Sequence, residues 1–444
     1  MTGRRSPSSS SRSSLTFLSK ATASVAAGTA AAVGASLLAG CALLPGASGD
    51  SGEPVTVMTW APEGTPATNM PGMPAMAKAY ARWVNANGGL AGHELKVVTC
   101  NEHNTTVGAA QCAKQAVRQG VIAVVGSYSQ HGRAFMAPLE TAGIPYLGGY
   151  GASDKEFNSP LSYPVNGGQA ALLAGNGRQL ARDCDRVSLV RPDTVAGDDL
   201  ATLLGSGLAE GDRKAATDIL AAEDANDYTA QAREALSSAG AFDAYGTGTG
   251  CVTAVLGDRT ETFFDSFRRL EPEVHGNVRV ASVLGSVGQP LLDRTGGKDG
   301  PFEGAYVTGW YPVASDARWD PMRKVIREHA FADNRIDPAD TGVQTTWIAY
   351  TVLKGIIESL AENGTDSVAA SDVVGALNQN EGVETGGLTP TLSWRLEHLL
   401  AARDFPRIVN RYVTFQVVRR GRLVSVKEGF VDVGKTLVQA PSAG

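Results

Sequence analysis

From Val55 onward, short apolar runs alternate with stretches whose apolar residues recur at helical spacing. Val55 to Trp60 (VTVMTW) reads as a buried strand. A long loop (APEGTPATNMPGMP) leads into a helix from about Pro74 to Asn87, with Met76, Tyr80, Trp83 and Val84 on one face and Gly88-Gly89 as its stop. HELKVV is the next strand, Val107 to Gln119 a helix, Val121 to Val125 a strand, HGRAFMAPLETAG a short helix and IPYLG a fourth strand. A second series starts near Asn166. It reads as helix Ala170 to Asp183, strand Val187 to Arg191, helix Gly197 to Glu210, strand Ala216 to Ile219 and helix Tyr228 to Ala239. Strand Val252 to Leu256, helix Thr260 to Leu270 and strand Val278 to Leu284 complete it. Glu303 to Val313 is strand-like and is expected to cross over, ahead of helices Pro321 to Ala332 and Thr341 to Glu362. Two β-rich runs around Arg420-Gly421 form a hairpin pattern. Alternating strands and helices predict an α/β protein of mostly parallel sheets with helices on both faces.

Composition fits this reading. The chain has 444 residues, 43% of them apolar, and 52 glycines, enough for two or three ordinary domains with many tight turns. Net charge is -6 and no long basic run follows the first forty positions, which argues against a nucleic-acid partner.

The amino terminus is different in kind. Arg4, Arg5, Arg12 and Lys20 precede an Ala/Gly/Val/Leu stretch from Ala21 to Gly40, the arrangement of an export signal. The run LLAGC (Leu37 to Cys41) resembles a bacterial lipobox, in which Cys41 is diacylated and becomes the mature first residue. The alternative is a short membrane anchor, but the stretch is Ala/Gly-rich and barely reaches the ~20 residues a span needs. Arg4-Arg5 hints at twin-arginine export without the expected Phe-Leu, so the route is open. Residues 1–41 are thus expected to be a signal, 42–53 a tether of small polar residues, and 437–444 a disordered tail.

Once Cys41 is assigned to lipid, four cysteines remain in an oxidising compartment. Cys100 ends a strand-like run and Cys112 lies in the helix that follows. Cys184 and Cys251 each sit just before or at the start of a strand-like run. The pairs Cys100–Cys112 and Cys184–Cys251 are expected. No Cys-x-x-Cys occurs and the six histidines are scattered, so no metal site is expected.

Four segments carry a family resemblance. WVNANGGLAGHELKVVTC, VIAVVGSYSQHGRAFMAPLETAGIPYLGG and FEGAYVTGWYP resemble, in that order, three stretches of type I periplasmic binding proteins, and LLAGC fits their lipid-anchored form. The branched-chain amino acid class of ABC-transporter solute-binding proteins is the nearest resemblance. It implies two lobes joined by three hinge crossings: residues 54–165 with 302–412, and residues 166–301 with 413–436. It also implies a ligand between the lobes. Open α/β sheets independently favour a site at the carboxyl ends of the strands.

Candidate site residues cluster at those ends. Gly126 turns the chain, Ser127, Tyr128 and Ser129 follow it, and the next helix points its amino end at the same space. The family binds a ligand carboxylate at matching positions; a plain helix cap is the alternative. A nucleophile reading of Ser129 with His131 fails on the motif, because Ser127 and His131 stand where a Gly-x-Ser-x-Gly elbow needs glycines. The resemblance further implies ligand contacts from Tyr150, Ala152 and Ser153 and from the first loop, with Asn69 and Met70. Asp258, at a strand-to-helix turn, is the candidate acceptor for a ligand ammonium or else a helix cap. The family's usual aromatic in an earlier loop is replaced by Val195 and Ala196, and its usual acid by Ser286 and Val287. GTGTG (Gly246 to Gly250) lacks the Lys-Ser/Thr of a phosphate loop and reads as a connection.

The resemblance therefore implies a monomeric extracytoplasmic lipoprotein that captures a small polar ligand, such as an amino acid or amide, for an ABC permease. It would be held at the outer face of the membrane by the lipid on Cys41, with no cofactor and no catalysis. The alternatives are a ligand-sensing lipoprotein of the same fold and a cell-wall hydrolase.

Overall fold

The computed structural model describes residues 52–243, 248–270, 277–402 and 404–440. The export signal, Cys41, nearly all of the tether, part of the GTGTG run and residues 441–444 lie outside the described residues.

The first half of lobe 1 runs β1 (Val55–Ala61), α1 (Gly72–Ala86), β2 (Leu95–Asn101), α2 (Thr106–Arg118), β3 (Ala123–Val125), α3 (Gly132–Ala142), β4 (Tyr146–Leu147) and β5 (Ser162–Tyr163). Its sheet has the order β2-β1-β3-β4-β5 and every pairing is parallel. β1 is buried along nearly its whole length, as a central parallel strand covered on both faces must be. Lobe 2 follows with α4 (Gly168–Leu180), β6 (Arg186–Pro192), α5 (Leu200–Ala209), β7 (Thr217–Ala221), α6 (Thr229–Ser238) and β8 (Thr249–Ala254). It continues with α7 (Thr260–Arg268), β9 (Asn277–Val283), α8 (Gln289–Arg294) and β10 (Tyr306–Gly309). The chain returns to lobe 1 for α9 (Asp320–His329), α10 (Thr341–Glu362) and α11 (Ala370–Gln379). It ends in lobe 2 with β11 (Tyr412–Arg419), β12 (Arg422–Ser425), β13 (Val431–Asp432) and α12 (Gly434–Gln439). The second sheet has the order β12-β11-β10-β9-β8-β6-β7, with β13 on β11, and only the pairings of β11 are antiparallel. The expected two-lobed α/β fold is present.

Two boundaries differ from the sequence reading. β10 is hydrogen-bonded between β9 and β11, so the chain leaves the second sheet after Gly309 rather than at residue 302. Residues 437–439 are not a tail: they belong to α12, which buries Leu437 in the main core.

The three crossings run side by side and are stitched together. Asn166 Nδ2 donates to Tyr311 Oη (3.1 Å), Asn410 Nδ2 to the Val165 carbonyl (2.9 Å), and Thr414 Oγ1 to the Tyr311 carbonyl (2.9 Å). Each bond ties one crossing to another. Both expected disulfides are present, Cys100–Cys112 with Cα atoms 5.7 Å apart and Cys184–Cys251 at 5.8 Å. One lies in each lobe.

Candidate functional site

The strands of both sheets end at the junction of the lobes, and the loops that follow them form the site. In lobe 1 the loops after β1, β3 and β4 are fixed from beneath by buried polar groups. Ser127 is fully buried, and its Oγ accepts the Trp60 backbone N–H (3.0 Å). Ser129 is also fully buried; its Oγ donates to Glu102 Oε2 (3.0 Å) and accepts the His131 backbone N–H (3.1 Å). These hydroxyls hold the loop to its own lobe, and neither serine lines either cleft chamber. Burial pushes the Glu102 carboxyl up to about 7, against the opposing pull of the Ser129 hydroxyl and the Asn104 backbone. The His131 ring does not address Ser129; its Nδ1 lies 3.3 Å from Thr106 Oγ1. No nucleophile–base pair exists there.

The loop after β4 is built around another buried acid. Glu156 accepts the backbone N–H groups of Gly151 and Ser153, both at 3.0 Å, and burial pushes its carboxyl up to about 8. Ser153 Oγ caps the turn Asp154–Phe157 by accepting from Lys155 N–H (3.2 Å). This scaffold holds Tyr150 at the lobe junction. Its ring packs 5.1 Å from Tyr128 and 5.1 Å from Trp310, which sits at the second crossing and donates its indole N–H to the Gly168 carbonyl (2.9 Å).

Lobe 2 meets these groups directly. Asp258 Oδ2 accepts the Asn69 backbone N–H (3.0 Å), and Arg259 bonds the Pro66 carbonyl. The two predicted residues Asn69 and Asp258 are therefore brought together, as a latch between lobes. The Tyr150 hydroxyl reaches Gly285 in the loop after β9. A Cβ there would lie 2.2 Å from that oxygen, and Gly285 has φ +96°, so glycine is required twice over.

Two chambers occupy the cleft. The outer, ≈ 710 Å³, is walled by Gly132 to Ala134 at the start of α3 and by Ala152, Ser153 and Asp154. Val195, Ala196, Asp198, Asp199 and Asp404 complete its rim. The inner, ≈ 60 Å³, is lined by Thr68, Met70, Tyr128, Tyr150 and Trp310 on one side and by Glu223, Leu256, Gly285 and Ser286 on the other. Gln130 and Gln169 border both chambers. Of the predicted residues, Tyr128 and Tyr150 line the inner chamber and Ala152 and Ser153 the outer. Asn69 and Asp258 close the junction, and Ser127 and Ser129 lie behind it. Gln130, Gln169, Glu223 and Trp310 were not anticipated. Glu223 follows β7 in a run of small and acidic residues (AAEDAND), where nothing in the sequence separates it from an ordinary surface acid.

Residues 58–403 match the family model described as periplasmic binding protein. No curated protein sequence matches the chain closely enough to count as a relative. Solved structures superpose over most of the chain. A possible leucine/isoleucine/valine-binding protein from Rhodopirellula baltica SH 1 has a TM-score of 0.69 at 13% identity, covering 89% of this chain and 100% of that one. A branched chain amino acid ABC transporter protein from Thermus thermophilus with bound valine has a TM-score of 0.69 at 14% identity, covering 86% and 97%. A solute binding protein from R. palustris in complex with 4-hydroxybenzoate has a TM-score of 0.67 at 13% identity, covering 85% and 97%.

Proposed function

Because the chain belongs to the periplasmic binding protein family, we propose that it is the solute-binding lipoprotein of an ABC importer, capturing a small polar ligand between its lobes. The observation that carries this reading is the paired chamber in the cleft, lined from both lobes and bridged by Tyr150 against Gly285. Ligand contacts shared by two lobes favour the closed arrangement over an open one, and a permease that recognises the closed arrangement receives only loaded protein. The stitched crossings are the natural hinge. They keep the lobes in register while the Asn69–Asp258 latch opens and closes.

A calorimetric and thermal-shift screen across amino acids, amides, aromatic acids and amines tests the reading. At least one class should bind saturably and raise the Tm. Silence from every class by folded protein would overturn it. Anchoring is tested separately: Cys41→Ala should abolish incorporation of labelled fatty acid and release the protein from the membrane fraction.

A further inference from the structure

The inner chamber differs in charge from a site for a zwitterion. Among its lining residues Glu223 is the one charged side chain; no Lys, Arg or His faces it. Glu223 is half-buried and has no hydrogen bond or ion pair among the described residues. The lobe 1 hydroxyls expected to receive a carboxylate, Ser127 and Ser129, are spent inside their own lobe. Asp258 is engaged by Asn69, and Arg259 bonds Pro66 and Asn226 rather than the chamber. Tyr128, Tyr150 and Trp310 line the same chamber from the side of lobe 1 and the second crossing. Tyr150 is 5% exposed, and its hydroxyl has no hydrogen-bond partner among the described residues. The oxygen itself is not sealed off, so it is free to bond to a group placed in the cavity.

We propose that the inner chamber is a cation subsite, in which Tyr128 and Tyr150, backed by the fully buried Trp310, hold a compact organic ammonium and Glu223 is its counter-charge. Ring quadrupoles attract a cation placed over their faces, and the attraction grows where water is excluded. A buried ammonium needs a counter-charge, and Glu223 supplies one from lobe 2. The cavity is several times the ~15 Å³ that one water needs and far below the ~300 Å³ of a drug-sized pocket, so the group it takes is small. The remainder of the ligand passes between Gln130 and Gln169 into the outer chamber. There Asp154, Asp199 and Asp404 outnumber Arg133, Asp198 being paired with Arg191, and the mouth favours entry of positive charge. The inference rests on the cleft being the ligand site and adds the ligand's charge class to it.

Calorimetry on the purified protein with choline and butylamine, against 3,3-dimethyl-1-butanol as neutral isostere and 3,3-dimethylbutanoate as anion, tests it. At least one of the cations should bind tenfold or more tightly than either comparator, and Glu223→Gln should remove at least tenfold of that affinity. Glu223→Asp should retain part of it. Both variants should keep the parental Tm, since Glu223 has no bonds to lose. Comparators binding as tightly as the cations, or an unchanged affinity in Glu223→Gln, would overturn the cation subsite. A neutral or anionic solute that binds instead removes the charge assignment and leaves the binding-protein reading intact. Silence from these probes and from the wider screen removes both.

Discussion

The two lobes present loops at the same junction, yet they are built in opposite ways. Lobe 1 fixes its loops from beneath. Glu102 and Glu156 are buried carboxyls that bond to the loops they support, and Ser127 and Ser129 turn their hydroxyls inward. Lobe 2 buries no carboxylate among the described residues. It offers a glycine where Tyr150 must pass and an unpaired acid, Glu223, toward the cavity. Shape is therefore prepared on one side and charge on the other. On the proposed reading, a ligand held only by lobe 1 would meet a finished surface without a counter-charge, so full affinity would require both lobes to close on it.

The first way to break the comparison is to loosen each lobe alone. The Cys184–Cys251 bridge of lobe 2 spans 67 residues and the Cys100–Cys112 bridge of lobe 1 spans 12. Loop-closure entropy then predicts a loss of about 4 kcal/mol for a double alanine replacement in lobe 2 and about 3 kcal/mol in lobe 1. Denaturant unfolding of the two variants measures the difference; a reversed order would mean that lobe 1 is the more dependent on its bridge.

Gly285→Val acts on the contact between lobes. The new side chain meets the Tyr150 hydroxyl when the lobes are closed, and a clash costing roughly 2 kcal/mol in that form lowers ligand affinity about 30-fold, while the strained positive φ lowers the Tm of free and bound protein alike. Because Tyr150 also lines the ligand chamber, Gly285→Val is compared with Tyr150→Ala alone; with the hydroxyl gone it should cost little further affinity and leave only the backbone strain. If Gly285→Val costs as much affinity in the Tyr150→Ala background as in the parent, the two residues do not meet in the bound form.

Buried acids make lobe 1 sensitive to pH. Burial raises Glu156 to about 8, Glu102 to about 7 and Asp340, the cap of α10, to about 6. The folded protein keeps these protons at pH values where the unfolded chain has released them. The stability they contribute is thus complete below about pH 4 and is lost as pH rises through 6 to 8. The Tm should fall between pH 5 and 9, and Glu156→Gln should flatten the upper part of that slope. A Tm that climbs through this window would show that the backbone N–H groups of Gly151 and Ser153 hold Glu156 ionised.

Much of this architecture is legible in the sequence because parallel strands buried on both faces leave dense apolar runs, and helices leave a 3.6-residue period. Val55 to Trp60 and Thr341 to Glu362 are read almost to the residue. Weaker patterns are misplaced or missed. β5 is two residues long, and α11 shows two buried apolar positions, Val373 and Leu377, four apart. The crossing after β10 is misplaced because a strand that changes lobes and one that stays carry the same apolar run. Site positions are legible as loops at strand ends, but the direction of a side chain is not. Ser127 and Ser129 flank Tyr128, and only the fold shows that the serines turn inward while the ring faces the cavity. Glu223 looks like any loop acid until β7 carries it to the junction.

The smallest expected effect probes the point where the lobes touch. Tyr150 packs its ring against Tyr128 and Trp310, and these contacts survive in Tyr150→Phe. The hydroxyl has no partner to lose, so stability should stay within about 0.5 kcal/mol of the parent. A bound ligand changes the balance. A hydrogen bond to that oxygen contributes about 1 kcal/mol, so Tyr150→Phe should weaken binding roughly fivefold in calorimetry while the Tm of the free protein is unmoved. Equal affinity in the two proteins would assign the hydroxyl a steric role against Gly285, and the polar contact of the ligand would then fall to Gln130 and Gln169. A loss of both affinity and stability would mean that the oxygen bonds within the free protein, and that the chamber is less open than its lining indicates.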